Sequence, residues 1–366
     1  MKRLGVAVLG LLFALIAIPA VLATQVTFAP IPPFGTSDVH GAYHVHSRRS
    51  DGRGTDEEIA SAAEAAGLSF VLLTDHNLSR IPEPRFVHGV LLLWGTEIST
   101  KVGHLVALGL PRALTLSEQE GGAVDAVQAL GGQAYLAHPV QNHWPWQDWE
   151  AAERAQGLEL FSGDTALREA LERPFSRLLP ALGAYLGQPL QGLYSLLEDE
   201  PTARARLLSL VRADHPMVAL CGLDAHGIPP YAQHFRTLQV HLGAVRALPT
   251  DAGAAARAVF EAISARGSYC GMDGLGSAAG FSLGVRRSEA GGMFRVHIPA
   301  TQAPVQVRVW GPAHVLPDGV TVSLDGVGAV QVEVWLQARD LLLRKVWKPW
   351  IVPSPFWVQA QGNARD

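Results

Sequence analysis

Histidines and carboxylates that could share a divalent metal recur along the chain in short, ordered motifs. The first is Tyr43-His44-Val45-His46, followed by Ser50-Asp51-Gly52. In a strand, residues i and i+2 leave the same face, so His44 and His46 would point together, and two imidazoles on one face can bind one metal. The Ser-Asp-Gly turn presents a carboxylate shortly afterwards. Thr74-Asp75-His76-Asn77 closes an apolar run, Gly95-Thr96-Glu97-Ile98 closes another, and Gly103-His104-Leu105 opens a third. Ala137-His138-Pro139 and Gly222-Leu223-Asp224-Ala225-His226 end two more. These six imidazoles and three carboxylates suit borderline divalent metals such as zinc, iron and manganese. Such a metal lowers the pKa of bound water toward neutrality and supplies hydroxide, and two metals together can also hold the oxyanion of a substrate. Asp224 is placed to accept the proton of the attacking water. Asp75, next to His76, is placed to orient that imidazole from behind.

A scaffold must gather these strand ends. Residues 55–66 read as a helix, with Thr55 and Glu58 in capping-box spacing. Apolar strands follow at 70–74, 90–94 and 105–108, a helix at 118–130, and a strand at 133–137. Further strands are expected at 158–161, 217–221 and 237–242, then a helix at 254–266 and a strand at Tyr269. Residues 164–213 are mostly helical and read as an insertion. Strands alternating with helices predict an α/β fold with a largely parallel sheet, and the repeat count favours a distorted barrel over 37–276. Almost every candidate ligand then lies at the C-terminal end of a strand, the face that carries the active site in α/β barrels. Beyond residue 277, segments such as Phe294-Arg-Val-His-Ile298 and Val330-Gln-Val-Glu-Val334 alternate apolar and polar residues. This period predicts a small antiparallel β domain over 277–366, packed on the main one.

In this order, the motifs resemble the PHP family, the polymerase and histidinol phosphatase metallohydrolases. The resemblance covers residues 38–275 and rests on His44-Val-His46 with Ser50-Asp51-Gly52, Thr74-Asp75-His76, Glu97 with Gly103-His104, Ala137-His138-Pro139 and Asp224-Ala-His226. It implies a distorted (β/α)7 barrel holding two or three metal ions, commonly manganese, zinc or iron. One metal site would take His44, His46, Glu97 and Asp224. A second would take Glu97, His104 and His138, making Glu97 the bridge, and a third Asp51, His76 and His226. Phe161-Ser162-Gly163 departs from the asparagine often found at the corresponding turn in the family. The closing segment from Pro349 to Val358 is similar to that of the carbaryl-hydrolase branch, which has a C-terminal β domain.

Composition narrows the reading. The chain has 366 residues, 14 histidines, a net charge of −4 and only four lysines, Lys2, Lys101, Lys345 and Lys348. A weakly acidic chain offers no electrostatic footprint for a nucleic-acid polymer, so a small-molecule substrate is expected. The amidohydrolase superfamily also uses His-x-His but often bridges its metals with a carbamylated lysine. Lys101 is the only lysine between residues 3 and 344, which favours Glu97 as the bridge. Lys2 and Arg3 precede an uncharged run over 4–23, with Val21 and Ala23 spaced as a small-residue cleavage site. This predicts a secretory signal peptide or an N-terminal membrane anchor over 1–23, with the remainder periplasmic or extracellular. A Pro-rich linker spans 24–36. Membrane contact is expected only through that N-terminal segment. Cys221 and Cys270 read as buried core thiols, with a bridge between them as the alternative.

Three functions compete. The motifs point to a phosphoesterase acting on small phosphate esters or nucleotides. The scarcity of basic residues near them points to a carboxylic ester, carbamate or amide hydrolase on the same metals. The third is a non-catalytic metal-binding module of the cell envelope. His143, in the loop after His138, and Arg236, before a strand, are the candidate substrate contacts, the latter through a bidentate phosphoryl clamp.

Overall fold

The structure, a computed structural model, describes residues 2–32, 38–284 and 289–360. Residues 33–36 of the linker and 361–366 of the C-terminal region lie outside the described residues. Helix α1 (Lys2–Ala23) leads to strand β1 (His40–Val45), helix α2 (Asp56–Ala65), and strands β2 (Phe70–Leu73), β3 (Arg85–Val87), β4 (Val90–Trp94), β5 (Thr96–Thr100) and β6 (Gly103–Leu108). Helices α3 (Leu116–Glu120) and α4 (Ala123–Ala129) precede β7 (Gln133–Ala137), and α5 (Trp149–Ala152) precedes β8 (Gly157–Ser162). Helices α6 (Gly163–Glu172), α7 (Leu179–Gly187), α8 (Pro189–Leu196) and α9 (Pro201–Leu210) then run to β9 (Val218–Gly222). The sequence continues with α10 (Tyr231–His234), β10 (Gln239–Leu242), α11 (Ala252–Ser264) and β11 (Ser268–Gly271).

Local chemistry explains these elements. Thr55 Oγ1 accepts from the Glu58 N–H at 3.2 Å and the Glu58 carboxylate accepts from the Thr55 N–H at 2.8 Å, which closes the capping box of α2. The single helix expected over 118–130 is broken into α3 and α4 at Gly121-Gly122, where Gly122 takes φ 126°. A glycine there gives up helix propensity and permits the left-handed turn. Strands β1, β2 and β4 are buried throughout and pair in parallel, as continuous apolar runs covered on both faces should.

The sheet is not largely parallel, however. β6 runs antiparallel to both β5 and β7, and β10 antiparallel to both β1 and β11. Only Lys101 and Val102 separate β5 from β6, too few residues for a parallel crossover. Strands β5-β6-β7-β8-β9 form one sheet, and β1-β2-β4 belong to another. Two seams of backbone hydrogen bonds join them. Leu223 N–H reaches Tyr43 O at 2.9 Å and His46 N–H reaches Ala225 O at 3.0 Å, whereas Asn77 N–H reaches Glu97 O at 2.8 Å. Both seams lie among the metal-motif residues.

The C-terminal region is joined edge to edge with this body rather than merely packed on it. It comprises β12 (Ser282–Leu283), β13 (Met293–His297), β14 (Val305–Trp310), β15 (Ala313–Val315), β16 (Thr321–Leu324), β17 (Gly328–Arg339), β18 (Lys345–Pro353) and β19 (Phe356–Val358). β18 pairs with β11 through Cys270↔Val352, so the large sheet continues from β1, β10 and β11 into β18, β17 and β14. Trp350 is fully buried at this junction and donates its Nε1–H to Gly276 O at 2.6 Å. Cys221 on β9 and Cys270 on β11 are buried, and they are also joined as a disulfide across 5.8 Å between Cα atoms. This separation lies within the usual range for a bridge, and it corrects the expectation of two free thiols. Among the described residues, no helix is long and apolar enough to cross a membrane.

Candidate metal centre

Strand ends position the cluster. His44 and His46 lie at the end of β1 and just beyond it, with His76 after β2, Glu97 on β5 and His104 at the start of β6. Because β6 runs antiparallel, its first residues share the rim with the last residues of its neighbours. His138 follows β7, and Asp224 and His226 follow β9. Four non-glycine residues here, His44, Asn77, His138 and Asp224, hold positive φ values of 64°, 46°, 31° and 50°. Such backbone costs about 1–3 kcal/mol per residue and collects where a site requires it.

The donor atoms converge. His44 Nε2 and His46 Nε2 are 3.1 Å apart and face Glu97 Oε2 at 3.1 and 3.2 Å. Asp224 Oδ1 stands 3.1 Å from His46 Nε2 and 3.5 Å from His44 Nε2. On the other carboxylate oxygen, Glu97 Oε1 meets His104 Nδ1 at 2.8 Å and His138 Nε2 at 3.1 Å. Asp51 Oδ2 lies 3.3 Å from His226 Nε2 and 3.8 Å from His76 Nε2, and Asp51 Oδ1 lies 3.6 Å from His46 Nδ1. Three overlapping groups could hold an ion: His44, His46, Glu97 and Asp224; His76, Glu97 and His104; and His46, Asp51, His76 and His226. All nine motif residues are thus brought together, and Glu97 belongs to two of the groups. Spacings near 3.1–3.5 Å between donors match the edges of a coordination shell with bonds of about 2.1 Å, so the donor set fits divalent metals.

Electrostatics point the same way. Burial opposes ionisation of Glu97, but the surrounding imidazoles, His44 foremost, outweigh it and hold the carboxyl well below its usual range. Burial likewise opposes protonation of His44 and His46. Glu159, Glu97 and Asp224 nevertheless raise His44 well above its ordinary value, and Asp224 and Glu97 push His46 up to about 9. The cluster therefore attracts positive charge, either protons or metal ions.

Glu159, which the motif reading missed, orients two ligands. His44 Nδ1–H donates to its Oε1 at 2.6 Å, and the His138 backbone N–H donates to its Oε2 at 2.8 Å. This leaves the His44 Nε2 lone pair facing Glu97 and Asp224. Gly222 makes room, since a Cβ there would lie 2.5 Å from the Glu159 carboxylate. The available signal was a buried glutamate inside the apolar run Leu158-Glu159-Leu160-Phe161.

Two expected roles are corrected. Asp75 does not orient His76: its carboxylate accepts from Ser47 N–H, Ser47 Oγ–H and Ser50 Oγ–H at 2.8 Å each, fixing the loop that carries Asp51. Arg236 is engaged elsewhere, its guanidinium donating to Ala29 O at 2.8 Å. His143 pairs with Glu172 at 3.1 Å in the loop beside Trp144. In their place, Arg168 on α6 pairs with Asp164 and feels the negative charge of Asp224 and Asp51, which puts a cation at the rim. Trp144 stacks on His104, with ring centres 5.9 Å apart and planes 15° from parallel. Lys101 lies exposed in the β5–β6 turn, away from the bridging position of Glu97.

No family model and no curated protein matches the chain. Among solved structures, it is similar to a two-domain protein from Bacteroides vulgatus ATCC 8482 containing a predicted PHP-like metal-dependent phosphoesterase. That likeness has 14% identity and a TM-score of 0.42, covering 88% of this chain and 97% of the other. PsfC from Pseudomonas syringae PB-5123 is similar at 14% identity and TM-score 0.38, over 62% of this chain and 88% of that one. An amidohydrolase from Chromobacterium violaceum is similar at 17% identity and TM-score 0.28, over 50% and 87%.

Proposed function

We propose that the protein is a metal-dependent hydrolase of small phosphate esters or nucleotides, working outside the cytoplasm. One observation carries this reading: the ring nitrogens of four histidines converge on both oxygens of Glu97 at 2.8–3.2 Å, a donor set that divalent cations would satisfy. We read the two hydrogen-bonded seams as the closure of a distorted seven-position barrel, with the centre at its rim. His44, His46, Glu97 and Asp224 would hold one ion, Glu97, His104 and His138 a second, and Asp51, His76 and His226 a third. When bound, manganese, zinc or iron supplies Lewis-acid polarisation of the ester and lowers the pKa of water. Glu97 would contribute to the centre through both its oxygens, which already face His44, His104 and His138. Asp224 takes the proton of the attacking water on its carboxylate, and Glu159 keeps His44 in the tautomer that presents Nε2 inward. Arg168 offers the phosphoryl group a charged partner, the role first assigned to Arg236. Trp144 covers His104 at the mouth. The disulfide Cys221–Cys270 suits an oxidising compartment, in keeping with an exported or N-terminally tethered protein.

Cleavage of carboxylic esters, carbamates or amides is the second reading. It is favoured by the fact that Arg168 is already paired with Asp164, leaving little free positive charge at the rim. A paired screen separates them. Metal-loaded protein and its Glu97→Gln variant are assayed against aryl phosphates and phosphodiesters beside aryl acetates and carbamates. Manganese-dependent phosphoester cleavage is expected, lost in the variant. Cleavage of the acyl probes alone would transfer the assignment to the second reading. Inertness of fully metal-loaded protein toward both panels would leave a metal-binding module.

A further inference from the structure

Helices α1 and α7 lie side by side with their backbones touching. A Cβ at Gly183 would lie 2.2 Å from Ile16 O, and one at Gly187 would lie 2.0 Å from Ala20 O. The contact therefore follows a Gly183-x-x-x-Gly187 spacing and runs in parallel along both helices. Close backbone packing over small residues is how helices associate in lipid, where apolar burial gives no driving force. Most of the remaining surface of the pair is apolar and uncovered. Every described side chain from 5 to 11 is exposed. Phe13 is 73% exposed, and on the insertion Phe175, Leu182 and Leu186 are 62%, 44% and 68% exposed. The sequence carries no charge over 4–23 and none over 178–197, so charge is confined to the edge of these faces, where Arg177, Glu198 and Arg344 line the groove beside α1. Lys2 and Arg3 begin the run with positive charge, complementary to anionic headgroups.

We propose that α1 enters a lipid bilayer together with the apolar face formed by Phe175, Leu182 and Leu186, while Arg177 between them turns to Leu196 O, Glu169 and Glu198. The helical insertion after β8 then becomes a second membrane contact, beyond any tether at the N-terminus. Glu172, just before that segment, contacts Asn142 at 3.2 Å and His143 at 3.1 Å in the loop after His138. The apolar arm is therefore linked to the loop that lays Trp144 over His104. This inference does not depend on which ester the centre cleaves.

The test uses the full chain and vesicles of phosphatidylethanolamine and phosphatidylglycerol. Combined Phe175→Ser, Leu182→Ser and Leu186→Ser substitution is expected to lower vesicle partitioning at least tenfold. Retained metal content and melting temperature establish that the variant folds. Independently, Leu186→Cys carrying an environment-sensitive fluorophore is expected to be quenched by lipid-borne nitroxides. Undiminished partitioning of the triple variant, or a label at 186 that remains in water, overturns the proposal. So does a wild-type chain that stays off vesicles as a dimer that the triple variant converts to monomer, since a second copy would then cover the face.

Discussion

Two buried clusters of histidine and carboxylate occupy opposite ends of β1, and their geometry differs in one decisive respect. At the start of the strand, His241 sits between two acids, with Nδ1 2.7 Å from Asp38 and Nε2 2.7 Å from Asp273. His40 and Tyr269 stack on its two sides, 5.0 and 4.9 Å away between ring centres. Each imidazole nitrogen has its own carboxylate oxygen, so one proton completes the cluster. Burial opposes that proton, but Asp273 and Asp38 outweigh it and push the pKa of His241 up to about 9. Burial, together with the nearby His241, lowers the pKa of His40. At the far end, His44 Nε2 and His46 Nε2 face each other at 3.1 Å and share the same carboxylate oxygens. Protons on both would collide. Residue type therefore does not distinguish an ion triad from a candidate metal centre; the convergence of ring nitrogens on one another does.

The comparison can be broken at several points. The largest effect is expected from Glu97→Gln, which should lower hydrolysis by at least about 10⁴-fold and remove bound metal, read by elemental analysis and steady-state rates. His241→Gln should leave metal content unchanged yet cost about 3–5 kcal/mol at pH 6, since two buried acids lose their partner. The pH dependence has a defined sign. A histidine raised from 6.5 to about 9 contributes stability that is complete below pH 6.5 and lost as pH rises through 9. Unfolding free energy of metal-saturated protein should fall by about 3 kcal/mol across that window, and by much less in His241→Gln. A flat wild-type profile would show that the triad carries no extra proton. Glu159→Gln should weaken metal affinity by about 10–100-fold in competition with a chelator, because His44 loses its orienting acceptor. The smallest effect belongs to Trp144→Ala, where loss of a stacking partner worth about 0.5–1.5 kcal/mol should raise KM a few-fold with kcat little changed.

The metal centre was more legible than the frame around it. Each of the nine ligand candidates falls within a short motif, all but Asp51 at a strand end, and strand period alone brings His44 and His46 to one face. Glu159 escaped because its function is to accept from His44 and His138, contacts 115 and 21 residues away in sequence. Arg236 misled for a related reason. Its position before β10 was readable, but the direction of its guanidinium depends on the packing of Ala29 beside it. His40 carries no local mark of its place, since its stacking partner His241 lies on another strand.

Local order along the chain was enough to determine the α/β alternation, the apolar strands, the change to half-exposed strands after residue 277 and the histidines and carboxylates that gather at the candidate centre, because periodicity and turn chemistry act over a few residues. Tertiary structure alone decided the antiparallel course of β6, the continuation of β11 into β18, the Cys221–Cys270 bridge and the lodging of α1 on the glycines of α7. Each of these depends on which distant surfaces meet, and pairing energy and steric fit are set by the meeting of two segments rather than by either segment alone.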